Sequence, residues 1–250
     1  MNHKKANISE EIQIGGTNIG TPMNTYKGVH DIITTSGNSK SVSKTLYPPS
    51  ALYKAICIDF FIKKYKCELI TSEFRYGLSQ LVTDLVIVTP RNAISIEIKT
   101  EQDDLRRLRV QIQEARKNFN LTIVFAASKF KKELLSLLPS DVGITIVEGD
   151  VCKIVRNPKR NQPIEKELIA SIPAVFLRSY FNISNNLDSD RTRLYVLDKH
   201  THRIEECFRA FLKYKFEKNY RQFLADRGNQ THMDDIPTLT MKNFIEINWD

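Results

Sequence analysis

Hydrophobic and polar positions divide the chain into segments with different periodicities. Apolar residues recur at helical spacing after Ser50, which can cap a helix through about residue 66. Strand-like runs follow at residues 68–76, 81–88 and 93–99, and the turn between the last two contains a proline at a favoured position. The pattern therefore predicts one helix followed by three strands, with a hairpin joining the second and third strands.

The next segment continues with alternating helices and strands. A helix is expected from Asp103 or Asp104, either of which can cap it, to about Asn118, because its apolar residues form a single stripe. The stripe consists of Leu105, Leu108, Ile112, Ala115 and Phe119. A strand at 121–127, a short helix at 129–138 and a strand at 142–147 are expected after it.

The two ends of the chain differ from this central part. Residues 1–46 hold five of the nine glycines and show no sustained period, which predicts a flexible N-terminal tail. After residue 161 the pattern is mainly helical, and its longest helix, around residues 202–227, ends before Gly228. We therefore divide the chain into a tail (1–46), an α/β core (47–160) and a mainly helical C-terminal region (161–250).

Composition narrows the class of protein. The 250 residues include 37 Lys and Arg against 29 Asp and Glu, and the resulting net charge of +8 permits a polyanionic partner. The chain has no apolar run of about 18 residues, and no apolar stretch follows its basic start, so neither a membrane span nor a secretory signal is expected. Its four cysteines form no Cys-x-x-Cys pair, which favours a reducing cytoplasm over a disulfide framework or zinc site.

The most informative stretch lies in the predicted hairpin. In residues 93–99 the isoleucines alternate with Ser95, Glu97 and Lys99, so that Glu97 and Lys99 leave the same face of one strand, roughly 7 Å apart at their backbones. Asp84 interrupts an otherwise apolar strand, where a carboxylate is costly unless it is paired or bound to a metal. Across the hairpin, Asp84 and Glu97 can come together.

Two carboxylates form a site of hard oxygen ligands, which suits Mg²⁺, or alternatively Mn²⁺, rather than zinc. The backbone carbonyl of Ile98 could complete the coordination. Lys99 beside such a site can orient an attacking water molecule and offset the charge that develops on a phosphate group. These groups together are suited to phosphodiester hydrolysis.

Asp84, twelve intervening residues and Glu97-Ile98-Lys99 resemble the signature of the PD-(D/E)xK nuclease superfamily. The continuation is similar to a bacterial subgroup with the pattern E-I-K-[ST] followed by D-x-L-x-R-L-x-x-Q, a spacing that Asp103 to Gln111 reproduces. The resemblance covers roughly residues 52–155, and Thr83 stands where the superfamily name has proline.

The resemblance implies a restriction-endonuclease-like core, with a helix, three strands, a helix and a strand, followed here by a helical C-terminal extension. It implies that Asp84 and Glu97 are metal ligands, that Lys99 is the catalytic base or charge stabiliser, and that Gln111 reaches the site from its helix. It also implies a role in bacterial defence or in a mobile element.

An acidic residue and a group of cations near the predicted site each allow two interpretations. Glu73, which shares a face of the first strand with Arg75, could be a third acid near the metal or a member of an ordinary surface ion pair. Between Lys99 and Lys132 nine basic and four acidic side chains give a local charge of +5. Its cations could contact phosphate groups or form a solvated surface. The candidates for nucleic-acid binding are Arg106, Arg107, Arg109, Lys129, Lys131 and Lys132.

The late helix interleaves aromatic with basic residues, which could stack on bases, although aromatic residues at helical spacing more often form a core or a dimer contact. We expect a Mg²⁺-dependent endonuclease whose partner is nucleic acid, with DNA favoured over RNA. The tail or the C-terminal helices could join it to a second copy or to a partner protein. The alternatives are a catalytically silent nuclease-fold module that binds nucleic acid or a protein, and a protein that acts only in assembly.

Overall fold

A six-stranded mixed sheet forms the centre of the computed structural model, which describes residues 49–149, 151–184 and 186–240. The tail expected at residues 1–46 lies outside the described residues. The strands are β1 (Leu69–Tyr76), β2 (Leu81–Val88), β3 (Ala93–Lys99), β4 (Leu121–Ala127), β5 (Gly143–Glu148) and β6 (Val151–Arg156).

The strands lie in the sheet in their order along the chain. β1, β2 and β3 pair antiparallel, β3, β4 and β5 pair parallel, and β6 returns antiparallel to β5. The predicted hairpin is confirmed: Val88 pairs with Ala93, and the Thr89 amide donates to the Asn92 carbonyl over 2.9 Å. Parallel pairing of β3 with β4 requires a crossover, and a helix occupies that connection.

Seven α-helices are described: α1 (Pro49–Lys64), α2 (Leu108–Asn118), α3 (Lys131–Leu137), α4 (Glu165–Ala170), α5 (Ala174–Phe181), α6 (Ser189–Lys199) and α7 (Ile204–Asp226). Short 3₁₀ segments occur at Ser128–Phe130, Thr201–Arg203 and Met233–Leu239. The expected mixture of helices and strands with a helical C-terminal part is thus confirmed. Within the described part of the chain, no helix is both long and apolar enough to span a membrane.

Aromatic contacts fix the helices on the sheet. Phe61 of α1 packs against Phe125 of β4, with ring centroids 6.2 Å apart. Val124 pairs with Glu97 in the parallel register, so Phe125, the next residue, points to the opposite face from Glu97. α1 therefore covers the face of the sheet that is opposite to the Glu97 carboxylate.

The late aromatic residues form a core rather than a base-stacking surface. Phe208 and Phe216 of α7 pack on Phe74 of β1, with centroid distances of 6.2 and 5.9 Å. Of the six aromatic residues of α7, only Tyr214 is exposed (76%). This burial explains the aromatic residues at helical spacing in α7, because they form an apolar cover beside β1.

Candidate active site

Asp84 lies just beyond the point where β2 and β3 stop pairing. The ladder between these strands ends at the Leu85–Ile96 pair. Beyond that pair, the Asp84 side chain bonds to the backbone of β3: its Oδ2 accepts a hydrogen bond of 2.7 Å from the Ile98 amide. The carboxylate is thereby held beside Glu97, as the hairpin pattern predicted.

Glu97 is buried in the middle of the sheet, with 1% of its surface exposed. Its Oε2 accepts a hydrogen bond of 3.0 Å from Gln111 Nε2, but its Oε1 is buried with no hydrogen-bond partner. Burial, and next the neighbouring Asp84 carboxylate, raise the pKa of Glu97 to about 8 against the opposing charge of Lys99. Burial also raises the pKa of Asp84, against the Ile98 amide and the charges of Lys54 and Lys99. Repulsion between the two carboxylates therefore adds to the effect of burial on the pKa of Glu97.

Lys99 and Glu97 are connected through Gln111. Lys99 Nζ donates to Gln111 Oε1 over 3.1 Å, and the amide group of the same glutamine donates to Glu97. Gln111 reaches both because Leu108 and Ile112 on either side of it are buried and fix the rotation of α2. The structure thus brings together Asp84, Glu97, Lys99 and Gln111.

α2 begins later than expected. Asp103 does not cap it; Asp103 Oδ2 instead accepts from the amide (2.7 Å) and hydroxyl (2.8 Å) of Thr100. Asp104 accepts from the amide and the guanidinium of Arg106. Both carboxylates therefore stabilise the turn that follows Lys99, and the helix begins at Leu108.

Glu73 forms an ion pair, but with a partner that the sequence did not indicate. Its Oε1 accepts from Lys54 Nζ of α1. Arg75 turns elsewhere and donates to the Gln80 carbonyl over 3.0 Å. Glu73 is close enough to Asp84 and Glu97 to raise the pKa of both, so it belongs to the surroundings of the site.

The six candidate cations differ in their surroundings. A cleft of about 540 Å³ is lined by Lys99, Asp103, Asp104, Arg106 and Arg107. Lys129 donates to the Glu101 carbonyl, two residues after Lys99. The remaining three candidates, Arg109, Lys131 and Lys132, are exposed to solvent.

The donor set fits a hard divalent cation. Asp84 and Glu97 supply carboxylate oxygens, and one oxygen of Glu97 is buried without a partner. The raised pKa of Glu97 reflects first its burial and then the neighbouring Asp84 carboxylate. Among the described residues, no group of three or more His, Cys, Asp or Glu side chains is placed to hold a metal ion. A site here would therefore use two carboxylates, with water or the Ile98 carbonyl as further ligands.

Two parts of the site had no usable signal in the sequence. Lys54 lies 19 residues before its partner on a different element, and a lysine in an amphipathic helix is unremarkable by itself. The hydroxyl of Ser95 lies 2.9 Å from the Thr83 hydroxyl, a contact that the alternation of residues in β3 does not predict. This buried pair fills the position next to Asp84.

These features define a mixed α/β protein in which a buried carboxylate, Glu97, and a partly buried one, Asp84, lie at one site with a lysine and a glutamine. Residues 45–240, more than three quarters of the chain, match the family described as Bacteriophage P4 protein cII, and the chain belongs to that family. No curated protein matches the chain. The solved structure of a protein of unknown function from Silicibacter pomeroyi is similar, with 17% identity and a TM-score of 0.37 over 57% of this chain and 97% of that chain.

Proposed function

We propose that this protein is a metal-dependent endonuclease with a restriction-endonuclease-like core, and that it hydrolyses phosphodiester bonds of nucleic acid, with DNA as the proposed substrate. The proposal depends above all on one observation: a buried oxygen of Glu97 has no partner, beside Asp84 and within a hydrogen-bonded chain to Lys99. The order of a helix, three strands, a helix and a strand supports the same fold. The family takes its description from a bacteriophage protein, which agrees with a role in a mobile element or in defence.

Asp84 and Glu97 would hold Mg²⁺ or Mn²⁺. The bound ion would supply a water molecule of lowered pKa and offset negative charge on the phosphate group. Lys99, whose ammonium group is oriented by Gln111, orients the attacking water and stabilises the charge that develops on the phosphate. Arg107 lines the cleft beside Lys99 and is suited to contact the substrate backbone.

The location and the assembly of the protein also belong to the proposed function. We propose that the protein acts in the cytoplasm, and that a second copy or a partner protein binds through the tail or the C-terminal helices. A two-stranded substrate favours two sites and hence a dimer. The Glu97 oxygen argues for catalysis over silent binding, because a module that only binds gains nothing from an unpartnered buried carboxylate oxygen.

Plasmid cleavage tests the proposal. The purified chain should cut in Mg²⁺ or Mn²⁺ but not in EDTA, whereas Asp84→Ala and Lys99→Ala should lose activity by at least about a hundredfold. Lys166→Ala, which changes an exposed lysine outside the site, is the matched control and should cut normally. Equal cutting by all variants refutes the assignment; metal-independent binding of DNA without cutting supports the silent module.

A further inference from the structure

The ion pair between Lys54 and Glu73 lies beside the two carboxylates without joining their hydrogen bonds. The side chain of Lys54 is only 12% exposed, against 41% for Glu73. A lysine in such a position requires a compensating negative charge, because burying an unpaired ammonium group is costly. Lys54 acts on Asp84 as well, since its charge lowers the pKa of that carboxyl group.

Glu73 has an unusual backbone for a strand residue. Its φ is +55°, in the left-handed region that costs free energy for residues other than glycine. The register of β1 with β2 passes from Ser72–Leu85 to Phe74–Thr83, so Glu73 stands across from Asp84 but is skipped by the ladder. Its carboxylate is bonded to Lys54 and does not complete a three-ligand group with Asp84 and Glu97.

The acidic and basic side chains around the site nearly balance each other in charge. Three carboxylates (Glu73, Asp84 and Glu97) and two lysines (Lys54 and Lys99) give a net charge of −1 when all are ionised. One divalent cation changes this to +1, which disfavours a second cation. Without Lys54 the same carboxylates would have a net charge of −2, and Glu73 would lose the group that holds it.

We propose that Lys54 is a resident counter-charge that limits the site to one divalent cation by keeping the Glu73 carboxylate in an ion pair, so that Glu73 does not act as a further ligand beside Asp84. This inference rests on the proposed metal site and adds its stoichiometry. Lys54 is a positioning residue, because it acts through Glu73, to which its ammonium group is bonded. Removing the Lys54 ammonium group frees the Glu73 carboxylate, which can then form, together with Asp84, a second site of hard oxygen ligands.

Mn²⁺ titration followed by the electron paramagnetic resonance signal of the free ion tests the stoichiometry. The full chain should bind one Mn²⁺, and Lys54→Met should bind two. Lys54→Met combined with Glu73→Gln should return to one, because the second site needs the freed carboxylate. Lys54→Arg keeps the charge and should also bind one.

The outcomes separate this inference from the nuclease proposal. One Mn²⁺ in Lys54→Met overturns the inference while leaving the metal site in place, and two Mn²⁺ in the unmodified chain overturns it as well. No Mn²⁺ in the unmodified chain refutes the metal site itself. Thermal unfolding in EDTA shows whether each variant is folded; should Lys54→Met not fold, Glu73→Gln alone should still bind one ion, and loss of that ion overturns the inference.

Discussion

Replacing Glu97 with glutamine should stabilise the metal-free protein at neutral pH and have little effect in acid. Glu97 is buried beside Asp84, and its pKa is raised from 4.5 to about 8. The folded protein therefore holds a proton that the unfolded chain releases. The stability due to this proton is complete below about pH 4.5 and is lost as the pH rises through about 8.

The size of the stabilisation by Glu97→Gln follows from the shift in the pKa of Glu97. At pH 7 the pH is about 2.5 units above the ordinary value of 4.5 for this group. Each unit corresponds to about 1.4 kcal/mol, so keeping Glu97 protonated costs roughly 3 kcal/mol, as an upper limit. Glutamine cannot ionise and avoids this cost, which corresponds to a rise in Tm of about 6–12 °C for a chain of this size.

The assay is urea or thermal unfolding in EDTA at pH 4.5 and pH 7. Glu97→Gln should gain stability at pH 7 relative to the unmodified chain, with a difference near zero at pH 4.5. Glu133→Gln, at an exposed position of α3, is the control and should change little at either pH. A Glu97→Gln variant that is less stable at pH 7 than the unmodified chain would refute the reasoning, since it would mean that the ionised carboxylate is stabilised in the metal-free site.

Three further predictions concern the turn after β1, the α1–α7 contact and α2. Gly77→Ala should lower the free energy of unfolding in urea by about 2 kcal/mol or more, because φ is +64° and the added Cβ would lie 2.7 Å from the side-chain amide nitrogen of Asn118. Gly149→Ala is the control: its φ is +59° but no atom lies within 4 Å of the added Cβ, so it should cost only about 1 kcal/mol. Asp59→Ala should cost about 3 kcal/mol or more in the same assay, because it leaves the largely buried guanidinium of Arg227, now 2.6 Å from Asp59 Oδ1, without its carboxylate. Gln111→Ala should lower the cleavage rate by about ten- to hundredfold with a smaller change in KM, because it releases both Glu97 and Lys99; equal loss in binding and rate would contradict a positioning role.

Much of the sheet could be predicted because its strands have strong patterns. β2, β3 and β4 begin and end at the expected residues, since each is bounded by a turn or a helix and is apolar on at least one face. β6 was not expected: it is an edge strand with exposed Val151 and Ile154, so burial does not impose an alternating pattern on it.

The site could be predicted only where one strand or one helix carries the information. Glu97 and Lys99 share a face of β3, and Gln111 lies beside the apolar stripe of α2, so their meeting follows from local periodicity. The start of α2 was wrong because Asp103 bonds to Thr100, a choice between two local hydrogen bonds that spacing does not decide. The partner of Glu73 comes from α1, and only the packing of α1 on the sheet brings Lys54 to it.

Whether the unpartnered oxygen of Glu97 binds a divalent cation is tested most directly by a crystal structure of the protein soaked in Mn²⁺. An anomalous difference map should show one Mn²⁺ in contact with both Asp84 and Glu97. A map with no Mn²⁺ at these carboxylates, at a concentration that saturates the protein in solution, would contradict the metal site and with it the proposed nuclease.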